Sequence, residues 1–157
     1  MDKQPISSGG FAELQKRLRE LKETERPAIL AAVQKARDLG DLSENADYKT
    51  SKDAQRRIDS EIRRIENIVG NANVIDVASL SGDRVMFGAT VSLEDENGGR
   101  VGYKILAECE SDPSKRVIAV TSPLARALIG KSAGDRCIVR TPAGEKEYEI
   151  VSVEYGI

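Results

Sequence analysis

Leu39-Gly40-Asp41-Leu42-Ser43-Glu44-Asn45-Ala46 decides the fold, because it separates two long apolar stripes of helical period. Upstream, Leu14, Leu18, Leu21, Ile29, Val33, Ala36 and Leu39 recur at intervals of three or four, with one gap at Glu25. Downstream, Ser51, Ala54, Ile58, Ile62, Ile65 and Val69 do the same. Each set puts one apolar stripe along one helix. Between the downstream positions lie Lys52, Asp53, Arg56, Arg57, Asp59, Glu61, Arg63, Arg64 and Glu66, which read as a solvated face. Gly40 stops the first helix, and Gly70 with Asn71 ends the second. Two striped helices joined by a short turn bury their seams against each other, so an antiparallel coiled-coil hairpin is expected. Arms of some 25–30 residues would reach roughly 40 Å at ~1.5 Å per residue. Pro27 interrupts the first arm, and a bend or short break is expected near Thr24 to Pro27.

Beyond Asp76 the period changes from helical to alternating. Arg84–Phe87, Ala89–Leu93, Val101–Leu106, Val117–Val120, Cys137–Val139 and Tyr148–Val153 are short β-branched runs. Gly82, Gly88, Asn97-Gly98-Gly99, Asp112-Pro113 and Pro142-Ala143-Gly144 punctuate them. One helical insert, Pro123–Ile129, follows Ser122, a good N-cap with proline in the first turn, and ends at Gly130. The class is therefore α+β: a helical hairpin over 1–78, then a small antiparallel sheet with one helix over 79–157.

Composition narrows the function. The 157 residues are 39% hydrophobic and 32% charged, with 24 basic and 26 acidic side chains. Split near residue 78, the first part holds 14 basic and 14 acidic residues and the second 10 and 12. A free-standing nucleic-acid binder that neutralises many phosphates carries a basic excess, so any contact with nucleic acid is expected through a small patch or a partner. There is no histidine and no CxxC, which excludes a Cys/His zinc site. Cys109 and Cys137, 28 positions apart, read as reduced thiols. Met1-Asp2-Lys3-Gln4-Pro5 has no signal-peptide pattern and no stretch has the apolar length of a membrane span, so a cytoplasmic protein without membrane contact is expected.

The turn is where chemistry concentrates. Asp41 and Glu44 stand three apart just after Gly40. One reading makes Asp41 the N-cap of the second helix and Glu44 its N3 residue, a capping box. The other makes them ligands. Two carboxylates without histidine or cysteine suit a hard ion such as Mg²⁺, which commonly takes one or two carboxylates plus substrate phosphates. Two ligands do not close a cage, so such a tip would complete a site begun elsewhere. The readings are compatible. Arg37 lies one helical turn before Asp41, and Lys49, Lys52 and Arg56 rise along one side of the second helix. They form either a patch able to hold a phosphate backbone or an ordinary charged face.

Arg26-Pro27-Ala28-Ile29 and Ala36-Arg37-Asp38-Leu39-Gly40-Asp41-Leu42-Ser43-Glu44-Asn45-Ala46-Asp47-Tyr48 resemble the tip segment of the bacterial Gre transcript-cleavage factors. Asn73–Asp76, Val85–Val91, Thr121–Lys131 and Thr141–Tyr148 are similar to the family's remaining signatures, from about residue 10 to the end. Near-neutral charge and a mild patch favour the GreA type over the more basic GreB type. The resemblance implies a coiled-coil hairpin, an FKBP-like C-terminal domain, and binding to RNA polymerase with the hairpin in its secondary channel. It implies that Asp41 and Glu44 help hold a second Mg²⁺ within the polymerase active site, none being bound by the chain alone, and so promote hydrolysis of backtracked RNA. Ser43 would orient water. Arg37, Lys52 and Arg56 would contact the nascent RNA 3′ end, and Ser122, Pro123 and Arg126 would dock on the polymerase. Departures are Lys49, where the family often has His, and Ser51-Lys52-Asp53-Ala54-Gln55, where it often has Ala-Arg-Glu-Gln-Gln. Lysine at 52 keeps the charge but loses the planar fork.

A channel-binding inhibitor without cleavage activity shares the fold, and the intact acidic pair speaks against it. A peptidyl-prolyl isomerase needs an aromatic-lined pocket, and after residue 80 there are only Phe87, Tyr103, Tyr148 and Tyr155. A plain coiled-coil module leaves the tip motif unexplained. A monomer is expected, because the hairpin covers its own seam.

Overall fold

The computed structural model describes residues 3–40 and 45–156. The chain divides by contact into two units, residues 11–72 and residues 3–10 with 73–156.

The first unit is the helical one. α1 (Ser8–Glu20), a π-helical turn at Leu21–Glu25 and α2 (Arg26–Asp38) follow one another without a break. Glu20, Glu25 and Arg26 all keep right-handed helical angles. Pro27 sits in the first turn of α2. The wider π turn accommodates its missing N–H and the ring's clash with the preceding turn, so where a bend or short break was expected the arm stays helical and carries a π turn. It also coincides with the gap in the apolar stripe at Glu25. α3 (Ala46–Gly70) has 25 residues, a rod of about 38 Å.

Leu21, Ile62 and Ile65 are buried together, with Leu14, Leu18, Ile58 and Val69 packed around them. Val33 and Ala36 are buried as well, but Leu39 remains 69% exposed. The stripe thus stops sealing at Ala36, two residues before the helix ends at Asp38. Part of the face read as merely solvated makes cross-arm pairs. Arg17 grips Glu61 with both Nε (2.9 Å) and Nη2 (3.1 Å). Lys22 pairs with Glu66 at 3.0 Å, and Arg26 with Asp59 at 2.9 Å. Such exposed pairs add little stability and are screened by salt, but they favour one register of the two arms.

The second unit is a mixed sheet with one helix. Its strands are β3 (Thr90–Asp95), β4 (Arg100–Leu106), β5 (Val117–Ala119), β6 (Arg136–Thr141) and β7 (Gly144–Glu154), in the order β5-β4-β3-β7-β6. All neighbours are antiparallel except β4 and β5, which run parallel. That corrects the expectation of a purely antiparallel sheet. The intervening segment from 107 to 116 carries the chain back, which allows the parallel pairing. Arg84–Phe87 is not a strand; Arg84 makes one isolated bridge to Ser132. Tyr155 holds that segment, its hydroxyl accepting from Met86 N at 3.0 Å and donating to Arg84 O. Alternation along the strands turns Val91, Leu93, Cys137, Val139 and Ile150 into one core. α4 (Pro123–Leu128) packs on β6 and adds Ala125 and Leu128 to that core.

A two-stranded pairing of β1 (Gln4–Ser7) with β2 (Ala72–Ile75) was not anticipated. Within the second unit, the Glu110 carboxylate receives the hydroxyl of Ser7, the backbone N–H of Ser7 at 3.2 Å and that of Ala107 at 3.1 Å. Ser7 in turn caps α1, its Oγ accepting from Gly10 N at 3.0 Å.

Candidate functional site

The site lies where the two arms end. Asp41, Ser43 and Glu44 fall outside the described residues, so the structure is described up to Gly40 on one side and from Asn45 on the other.

α3 begins at Ala46, and its N-cap is Asn45, whose Oδ1 accepts from Tyr48 N at 2.9 Å. The capping box expected of Asp41 and Glu44 is therefore not what starts this helix. The same side chain does a second job. Asn45 Nδ2 donates to Ala36 O at 2.6 Å. That carbonyl lies in the last turn of α2 and also accepts from Leu39 N at 3.2 Å. Asparagine carries both a donor and an acceptor, so one half-buried amide caps α3 and also bonds a carbonyl in the last turn of α2.

Beside this link, the Arg37 guanidinium lies 5.8 Å from the centroid of the Tyr48 ring, within cation–π range. Hydrogen bonding to Arg37 is the main cause that holds the Tyr48 hydroxyl below the ordinary tyrosine pKa. Burial opposes it, and the charges of Arg37, Lys52 and Arg56 reinforce it. The three basic residues singled out from the sequence thus all act electrostatically on one phenol. Arg56 is partly neutralised by Asp53 at 2.8 Å, and Lys52 Nζ donates to Gln55 at 3.3 Å. Arg37 is exposed and lies at the end of α2, beside Tyr48. The patch has the charge to hold a phosphate, though not the fork geometry that arginine at 52 would add.

Among the described residues, no group of three or more histidine, cysteine, aspartate or glutamate side chains is placed to hold a metal. In the second unit, Ser122 is half-buried and caps α4, its Oγ accepting from Ala125 N at 3.2 Å. Pro123 and Arg126 are exposed on that helix. Ser122 thus has a local structural duty, while Pro123 and Arg126 offer surface.

The family model "Transcription elongation factor, N-terminal" matches residues 4–74, and "Transcription elongation factor, GreA/GreB, C-term" matches residues 80–155. The chain belongs to the GreA/GreB family of transcription elongation factors. The transcription elongation factor GreA of Anaeromyxobacter sp. (strain K) is 51% identical over 99% of this chain and 94% of its own length. That of Phenylobacterium zucineum is 48% identical over 99% of both. The crystal structure of GreA factor homolog 1 of Thermus thermophilus aligns with 97% of this chain and 99% of its own, at 23% identity and a TM-score of 0.46. RNA polymerase is the partner that membership of this family implies.

Sequence reasoning missed two participants, Asn45 and Tyr48. The signal for Asn45 was present, since asparagine is among the best N-caps. The Asp41–Glu44 spacing fits a capping box as well, so local spacing does not single out Asn45. Nothing local announced that the Asn45 amide would reach back nine residues to Ala36.

Proposed function

We propose that this elongation factor inserts its helical hairpin into the secondary channel of RNA polymerase and stimulates the polymerase's own hydrolysis of backtracked RNA near the 3′ end. It is not a free-standing enzyme. Asp41 and Glu44 are the residues that would hold Mg²⁺, jointly with groups of the polymerase. Their chemistry fits: carboxylates are hard oxygen ligands, two of them leave positions open for substrate, and capping of α3 is carried by Asn45 instead. When bound there, the ion supplies activation of the attacking water and charge stabilisation on the leaving oxygen. Arg37, Lys52 and Arg56 bind the backbone of the extruded RNA 3′ segment, and Ser43 orients water. Pro123 and Arg126, presented on a helix capped by Ser122, belong to the surface that docks on the polymerase. The factor acts as a monomer.

The observation that carries this reading is the Asn45 cap, in a chain matched along nearly its whole length by GreA proteins. It leaves the Asp41/Glu44 spacing unaccounted for by capping of α3. The test uses purified, backtracked elongation complexes. Wild-type protein is expected to shorten the RNA, and the Asp41→Asn/Glu44→Gln double variant to bind without doing so. Equal cleavage by both, or binding by both with cleavage by neither, overturns the mechanism.

A further inference from the structure

We propose that Asn45 is a positioning residue: its amide clamps the end of α2 to the start of α3, setting the distance between the two points from which residues 41–44 are carried. The inference rests on the cleavage reading above and adds a residue to it. Two hydrogen bonds define the clamp, Nδ2 to Ala36 O at 2.6 Å and Tyr48 N to Oδ1 at 2.9 Å. A second link stands on the neighbouring residues, where Arg37 lies over the Tyr48 ring. The two links therefore tie Ala36 and Arg37 on one arm to Asn45 and Tyr48 on the other. Packing does not do this job at the same level. Leu39, the last apolar residue of the stripe, is 69% exposed, and the nearest buried seam position on α2 is Ala36, a single methyl. Polar links replace the seam where it has run out of apolar contacts.

Position matters because groups delivered to another enzyme's active site act only in a narrow geometry. A misplacement of about 1 Å can cost ~100-fold in rate. Capping and clamping are separable by substitution. Aspartate and serine both cap helices well, but aspartate has no N–H to give Ala36, and serine is too short to span both partners.

The experiment uses full-length Asn45→Asp and Asn45→Ser proteins with backtracked polymerase complexes. The maximal cleavage rate and the factor concentration for half-maximal cleavage are measured separately. Helical circular dichroism and the unfolding temperature are followed alongside. In parallel, pulsed dipolar spectroscopy reads the distance between spin labels at Lys35→Cys and Lys49→Cys in a Cys109→Ser background. Both variants are expected to keep helix content, unfolding temperature and half-maximal concentration. Their maximal rate should fall about tenfold, and the label distance should broaden. A wild-type rate in either variant overturns the proposal, whether or not the distance broadens. So does a rate loss that tracks weaker binding or lost helix. If wild-type protein itself gives no cleavage, the cleavage reading fails, and an unbroadened distance then removes the clamp as well.

Discussion

Ile65→Ala is the sharpest test of the hairpin, because Ile65 is fully buried in the seam with Leu21 and Ile62. The change removes about three carbons, and at ~0.8 kcal/mol per buried methylene the lost transfer energy is about 2.4 kcal/mol. The cavity left between rigid helices raises this to ~3–4 kcal/mol, inside the ~2–5 kcal/mol span of large-to-alanine core changes. For a unit of 60–100 residues, each kcal/mol lowers the midpoint by ~4–8 °C, so a fall of roughly 15–25 °C is expected. Circular dichroism at 222 nm follows it well, since the long helices dominate that signal. Leu30→Ala is the control. Leu30 is 38% exposed and should cost about 1 kcal/mol or less. A shift below about 4 °C for Ile65→Ala, or equal losses in the two variants, would show that the seam does not lie where α3 and the π turn place it.

Three further outcomes are expected. The phenol of Tyr48 should ionise below the usual tyrosine range and that of Tyr155 above it, the first because Arg37 hydrogen-bonds it and the second because it is buried; absorbance at 295 nm should lose its earliest component in Tyr48→Phe and see that component move up in Arg37→Ala. Glu61 is held below the ordinary carboxylate value of 4.5 chiefly by its hydrogen bond to Arg17, so its stabilisation is complete above that value and lost as pH falls through the lower folded one; Glu61→Gln should lower stability at neutral pH, flatten the acid limb below about 4.5 and converge on wild type in acid. Gly88 has φ +90°, and a methyl there would lie 2.7 Å from Leu80 Cδ1 and 3.1 Å from Val77 Cγ1, so Gly88→Ala should destabilise the second unit by ~2 kcal/mol or more, read by urea unfolding of Tyr103 and Tyr148 fluorescence.

Much of this protein was legible before its structure, and the reason is local periodicity. The stripes Leu14–Leu39 and Ser51–Val69 state a helical pair because side chains three and four apart share a face. Val91 and Leu93, or Cys137 and Val139, state strands because alternate residues share a face. Ser122-Pro123 and Gly130 bracket a helix by cap chemistry alone, and α4 occupies that interval. The acidic pair and its basic neighbours were legible as residue types whose meaning came from the longer motif around them.

What the sequence alone determined, then, was the identity of the elements and the chemistry concentrated between the arms. The tertiary structure decided which distant groups meet. It paired β1 with β2, ran β5 parallel to β4, and let a π turn carry the arm past Pro27. It gave the cap of α3 to Asn45 and tied that residue to Ala36, and it laid Arg37 over Tyr48. These outcomes depend on partners far apart along the chain or on competition between two plausible caps. A pattern of period two or 3.6 records which way a side chain faces, and holds no information about which backbone group will be waiting there.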